Sequence, residues 1–278
     1  MNPMIETFGA LVGKAAAKSP DRARRLLEAA FYASNFQAKH FPSRKLTTAR
    51  AFISPVCMDA VLHPLAHPER SAIVHLFLPC EILHAMRIEP QIAEGLSCYF
   101  SGAGSEQYFI EYARQKGVPD TLCSYHKILT GIALSGVLPK PRLIANTTLA
   151  CDANTNTFRR IAAHYGVPHF TVDTPCADDA DAVQYVADQL RELARFTEEA
   201  MHERFSEDAL RAVLACEQRS MQACRSYYDL LADRYLPNEM TSEMYTLFAT
   251  HILLGKPEIE QYFEQLCEDA KNAPVFQG

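Results

Sequence analysis

The sequence predicts an α/β protein: a mostly parallel, Rossmann-like sheet flanked by helices, with N-terminal helices before it and a C-terminal helical region after it. Three observations predict this. Short apolar runs such as Ala72–Leu78 (AIVHLFL), Arg142–Leu149 and His169–Val172 are bounded by proline or glycine and have the length of buried parallel strands. Helix-like stretches separate them, and strand–helix–strand order implies right-handed crossovers within one sheet. From Asp178 onward only helical spacing remains, as in Val183, Val186, Leu190 and Leu193.

Taken in order, residues 3–40 read as two helices broken at Ser19-Pro20-Asp21, with Ser19 suited to the N-cap and Pro20 to the first helical position. Phe41 to Arg70 reads as loop, because Pro42, Pro55, Pro64 and Pro68 interrupt it. His63 and His67, each next to a proline, read as surface residues. After the strand at 72–78, Pro79 opens a helix through Met86, with Glu81 in its first turn where the helix dipole favours an acid. Gln91 to Tyr99 reads as a second strand ending in the glycine turn Ser101–Ser105, which feeds a helix from Glu106 to Lys116. This turn has the look of a phosphate cradle, but without the third glycine of a dinucleotide fingerprint a plain strand-to-helix turn is the better reading. A helix follows Cys123, then the strand at 142–149, a helix from Asn154 to Tyr165, and the strand His169–Val172. Four helices are expected over 178–203, 206–235, 241–254 and 257–272. The expected division is 1–71 for N-terminal helices and linker, 72–176 for an α/β domain, and 177–278 for the helical region.

Composition narrows the function. Of 278 residues, 48% are hydrophobic and 22% charged, and the net charge is −6, which argues against nucleic acid or an anionic membrane as partner. No apolar run approaches the roughly 18 residues of a membrane span. The N-terminus lacks the charged start of a signal peptide, so a cytoplasmic location is expected. Nine cysteines are many for such a chain. A disulfide framework is not expected in a long chain with its own core and no export signal. Cys216, Cys224 and Cys267 stand in helical sequence beside Ala and Leu and read as buried thiols. Cys57, Cys80, Cys98, Cys123, Cys151 and Cys176 remain as candidates for chemistry. Cys123 opens a helix and Cys151 closes a strand, and strand ends are where ligands gather in α/β proteins.

Several segments carry a resemblance. LPCEILHA at 78–85 followed by RIEP at 87–90, LCSYHK at 122–127, ACD at 150–152 and GVPHFTVDTP at 166–175 together resemble the 2-hydroxyacyl-CoA dehydratase family, which includes benzoyl-CoA reductase subunits and the D-component of 2-hydroxyglutaryl-CoA dehydratase. The resemblance covers roughly residues 72–176, and the helical region fits in order and length. It implies a hydro-lyase subunit acting on an acyl-CoA thioester, with a [4Fe–4S] cluster, a homologous sister subunit and an ATP-dependent activator that supplies one electron. The family's ligand cysteines match Cys123 and Cys151, and thiolate is the soft donor that iron–sulfur clusters use. One-electron reduction of the thioester to a ketyl radical would expel the α-hydroxyl and acidify the β-hydrogen, with hard chemistry assigned to the cofactor. Glu81 matches the family's carboxylate, as acid/base or substrate-positioning group; a first-turn acid serving the dipole is the alternative. His126 is a partner to the ligands or a plain helix-face histidine. Full-length family members continue into a second α/β domain that supplies a third ligand cysteine, and Ala273–Gly278 stands about where it is expected to begin. Cys80, Cys98 and Cys176 are the substitutes within reach of this sequence, Cys98 first because it closes an expected strand.

The dehydratase subunit competes with a benzoyl-CoA reductase-type subunit, with a scaffold subunit that kept the fold without the cluster, and with a nucleotide-binding protein using Gly102–Ser105.

Overall fold

A computed structural model describes residues 2–237 and 239–275. Phe276–Gly278, the last residues of the stretch where a second α/β domain is expected to begin, lie outside the described residues. The chain opens with α1 (Pro3–Ala16), α2 (Pro20–His40) and α3 (Thr48–Ala66). The alternating part follows as β1 (Ser71–Val74), α4 (Glu81–Ala85), β2 (Glu89–Ile92), α5 (Ala93–Gly102), α6 (Glu106–Gln115), α7 (Ser124–Leu134), β3 (Leu143–Thr147), α8 (Asp152–Tyr165) and β4 (His169–Val172). It ends with α9 (Ala180–Met201), α10 (Glu207–Leu230), α11 (Met240–Ala249) and α12 (Pro257–Lys271). No helix among the described residues is long and apolar enough to cross a membrane.

Two compact units share these elements. The first takes Met1–Tyr32, Val61–Leu78 and Glu89–Arg204; the second takes Ala33–Ala60, Pro79–Ile88 and Phe205–Gly278.

The first unit holds the sheet, in the order β2-β1-β3-β4 with every pairing parallel. Ala72 stands opposite Pro90 on one side and Leu143 on the other. β1 and β3 are buried along their whole length, as parallel strands covered by crossover helices must be. Pro90 sits on β2, an edge strand, where a missing N–H breaks no central ladder. Phe100, Phe109, Phe158, Leu129 and Ile132 fill the helix side of this core. α8 ends on Gly166 at φ 60, and the left-handed conformation lets its N–H bond back to Ala162.

The second unit packs α10 against α12 and α4. Cys216, Cys224 and Cys267 are buried on these helices, and burial raises each thiol above its ordinary range.

The expected strand Ala72–Leu78 stops at Val74, which leaves His75–Leu78 outside it, and the structure departs from the sequence reading in three further places. Thr48–Ala66, inside the expected loop, is helix α3 despite Pro55 and Pro64. An interior proline costs a helix about 3 kcal/mol. Offsetting it, Ala49, Ile53, Cys57 and Ala60 are buried at helical spacing, and the Asp269 carboxylate accepts the Thr48 and Ala49 N–H groups at 3.3 and 2.8 Å. The expected strand from Gln91 to Tyr99 stops at Ile92, and the rest is α5. There Ala93, Leu96, Ser97 and Phe100 form one buried helical face, so Cys98 lies within a helix rather than at a strand end. The glycine turn consequently joins two helices. A Cβ on Gly9 would stand 1.8 Å from the Gly104 carbonyl oxygen, so the backbone of α1 rests directly on Gly104.

The crossing of α6 and α7 depends on a similar contact, because a Cβ on Gly131 would lie 2.0 Å from the Phe109 carbonyl oxygen. Gly131→Ala should therefore destabilise the fold by about 2 kcal/mol or more in urea denaturation. Gly102→Ala, with nothing within 4 Å of the added carbon, should be neutral or stabilising.

Candidate active site

In an open parallel sheet, the crevice at the carboxyl ends lies where successive crossovers leave in opposite directions. The order β2-β1-β3-β4 puts that point between β1 and β3. Four segments surround it in the first unit: the loop after β1, the start of α5 after β2, the start of α7, and the loop after β3 leading into α8.

His75 follows β1 directly. Its backbone N–H donates to Ala145 at 3.3 Å, which extends the ladder by one step, and its ring is almost wholly buried. Nδ1 lies 3.2 Å from Thr147 Oγ1 at the end of β3, so this contact spans the crevice. Nε2 lies 2.5 Å from Asn154 Nδ2 in the first turn of α8 and 3.4 Å from Glu94 Oε1 in the first turn of α5. Glu94 Oε2 accepts the Leu76 N–H at 3.1 Å.

Burial decides the charges here. Desolvation is the largest influence on both groups: it lowers His75 to about 4, helped by nearby His126, and raises Glu94 to about 7 against two backbone hydrogen bonds. Between those values both are neutral, so the 3.4 Å contact is a hydrogen-bonded acid and imidazole and not an ion pair. A consistent assignment has Asn154 and the Glu94 hydroxyl donating toward Nε2 and Nδ1–H donating to Thr147.

The cysteines stand beside this network. Cys123 is the N-cap residue of α7 and is exposed; Cys151 is the N-cap residue of α8 and is half-buried. His126, buried in the first turn of α7, places Nε2 3.4 Å from Cys151 Sγ. The helix that begins at Cys123 therefore touches, through His126, the cysteine that begins α8. Burial lowers His126 below its ordinary range. Cys98 Sγ–H donates to the Tyr125 hydroxyl at 3.5 Å, and burial raises the thiol. Glu94, Tyr125 and His126 line a narrow cleft with Ala93, Leu129 and Phe158 at its base. Asn154 Oδ1 is buried there without a hydrogen-bond partner.

The other candidates fall elsewhere. Glu81 begins α4 in the second unit; burial raises its carboxyl to about 7, and the Glu217 carboxylate adds to the effect. Cys80, the residue before it, is fully buried and its thiol is pushed well up by desolvation. Cys57 is likewise buried in the second unit. Cys176 is exposed after β4. Among the described residues, no three His, Cys, Asp or Glu side chains converge as a metal-ion site. His63 and His67 are exposed, as expected.

His75 and Glu94 escape the sequence reading. His75 sits inside an apolar run and reads as a strand residue; Glu94 falls within the segment expected to be a strand. The signal that finds them is a histidine where a buried strand runs out, followed by an acid where the next one does.

The model of the family "2-hydroxyglutaryl-CoA dehydratase, D-component" matches residues 75–277. The chain belongs to this family. A comparison with curated proteins gave no match. The family is that of a dehydratase component, so the chain is read as a subunit of a 2-hydroxyacyl-CoA dehydratase-type enzyme. Its match runs from His75 itself through α12, and so takes in both cysteine-bearing helix starts.

The opposed shifts of Glu94 and His75 make a pH prediction. Folded Glu94 holds its proton between 4.5 and about 7 while the unfolded chain releases it, so its contribution to stability falls as pH rises through that window. Folded His75 refuses a proton that the unfolded chain takes up between about 4 and 6.5, so its contribution is lost as pH falls through that window. Glu94→Gln preserves the neutral hydrogen bonds and removes only the first effect. The variant should match the wild type near pH 4.5 and exceed it at pH 7 by up to about 3 kcal/mol, read from urea midpoints across the range.

Proposed function

We propose that this chain is the cluster-bearing subunit of an enzyme that eliminates water from a 2-hydroxyacyl-CoA thioester. Cys123 and Cys151 are the protein thiolates for a [4Fe–4S] cluster. A homologous sister subunit and an ATP-dependent one-electron donor are its partners, in a reducing cytoplasm. The observation that carries this reading is the 3.4 Å approach of His126, one turn beyond Cys123, to Cys151 Sγ.

The donor set suits the group. Two cysteines, one exposed and one half-buried, supply soft ligands without disulfide competition, since all nine cysteines are free. Each begins a helix, where unpaired backbone N–H groups favour negative charge. When bound, the cluster supplies a one-electron path and an iron Lewis acid for the radical elimination. Cys123 and Cys151 would supply two of the cluster's thiolates, and the third ligand cysteine that the family resemblance implies would come from a second α/β domain.

The chain's own groups handle position and protons. His126 holds the Cys151 sulfur by its ring nitrogen, as partners of metal ligands commonly do. The elimination needs one proton delivered to a departing hydroxyl and another taken from carbon. Glu81, with its carboxyl raised to about 7, is suited to exchange a proton near neutral pH. Glu81 remains equally well explained as a substrate-positioning acid.

Anaerobic reconstitution followed by iron and sulfide analysis and electron paramagnetic resonance tests the assignment. Wild-type protein should hold a cluster, and Cys123→Ala and Cys151→Ala should each lose most of it. Stoichiometric cluster in both variants sinks the ligand assignment. A wild type that binds no iron yet associates stably with a sister subunit identifies a scaffold subunit instead.

A further inference from the structure

The start of α8 has few means of holding itself in place. Cys151 occupies the N-cap position but makes no side-chain cap hydrogen bond, where Ser, Thr, Asp or Asn would accept one from the first turn. Ala150, just before it, has φ 66, a left-handed conformation that a residue with a Cβ adopts only under constraint. The turn around Ala150 is closed by the Cys151 N–H donating to the Leu149 carbonyl at 2.9 Å, a tight three-residue loop that is rare in proteins. A helix that begins with an uncapped residue after a strained turn will fray unless something outside it supplies the missing constraint.

The constraint comes from one buried ring. Asn154, fully buried in the first turn of α8, donates its backbone N–H to the Cys151 carbonyl at 3.1 Å and its side-chain amide to His75 Nε2 at 2.5 Å. The opposite nitrogen of His75 meets Thr147 Oγ1, which in turn accepts the Leu149 N–H at 3.2 Å. The His75 ring thus grips the Cys151 turn from both sides: through Thr147 before it and through Asn154 after it. Glu94 and the edge of Phe158, at a ring separation of 6.2 Å, fix the imidazole.

We propose that His75 is a positioning residue for Cys151: by bridging Thr147 and Asn154 it holds the Ala150 turn in its strained form and keeps the Cys151 thiol against His126. This goes beyond the cluster reading and concerns the thiol whether or not it carries iron. On the cluster reading, the consequence is a ligand preorganised before the metal arrives.

Site-resolved alkylation of the metal-free protein tests this. Reduced protein is pulsed with N-ethylmaleimide under anaerobic conditions, and the rates at Cys151, Cys123 and Cys176 are read by mass spectrometry. Exposed Cys123 and Cys176 normalise the reagent, and Cys98, half-buried in the same unit and bonded to Tyr125 rather than His75, is read with them, so global loosening raises the Cys98 rate together with that of Cys151. In His75→Leu and in Asn154→Ala the Cys151 rate relative to Cys123 should rise about tenfold, equal to about 1.4 kcal/mol of local opening. His75→Gln, whose amide can donate on one side and accept on the other, should restore most of the wild-type ratio. If His75→Leu does not fold, Asn154→Ala decides alone. A Cys151-to-Cys123 ratio unchanged in folded Asn154→Ala overturns the proposal. Its failure is distinct from that of the cluster reading, which is judged by iron retained in Cys151→Ala.

Discussion

Everything at the candidate site follows from the parting of two strands. β1 and β3 are paired neighbours, but the chain leaves β1 toward β2 and leaves β3 toward β4, on opposite sides. The loops beyond Val74 and Thr147 therefore diverge, and the gap they leave has to be filled or lined. Here the His75 ring spans it, meeting Thr147 through one nitrogen and Asn154 through the other. The starts of α5, α7 and α8 gather around that span because each follows, directly or in the case of α7 after two intervening helices, from a strand ending at the same edge.

Lining such a gap with polar groups is costly unless each finds a partner. His75 and Glu94 meet the cost by staying uncharged and by bonding to Thr147, Asn154 and the Leu76 backbone. Neutrality also explains how an acid and a histidine stay close in a desolvated place without the penalty of a buried ion pair. A hydrogen-bonded wall of uncharged groups beside two thiols is suited to orienting a ligand without competing with it electrostatically.

Much of the fold is legible in the residues. Continuous apolar runs mark β1, β3 and β4, and His169–Val172 has the expected bounds. The helices from α9 to α12 follow their apolar spacing to within a few residues. Where the reading fails, a tertiary term outweighs a local one. α3 carries two prolines that argue for loop, but the cap from Asp269 lies more than two hundred positions along the chain, where no local rule can see it. α5 carries Cys98, Tyr99 and Phe100, which suit a strand as well as a helix, and only the packing of Leu96 and Phe100 decides. Gly102 and Gly104 resemble a turn from strand to helix, and only the helical packing of α5 makes it a turn between two helices.

By itself the sequence determined the alternation of strand and helix, the identity of the cysteines at two helix starts, and a family resemblance, because each is written in local spacing or in short ordered motifs. Tertiary structure decided which groups meet. That Cys151 lies against His126, that His75 holds Asn154, and that Glu94 is half-hidden and neutral depend on strand order. Strand order is set by which faces must be buried together, a property of the whole sheet that no window of residues contains.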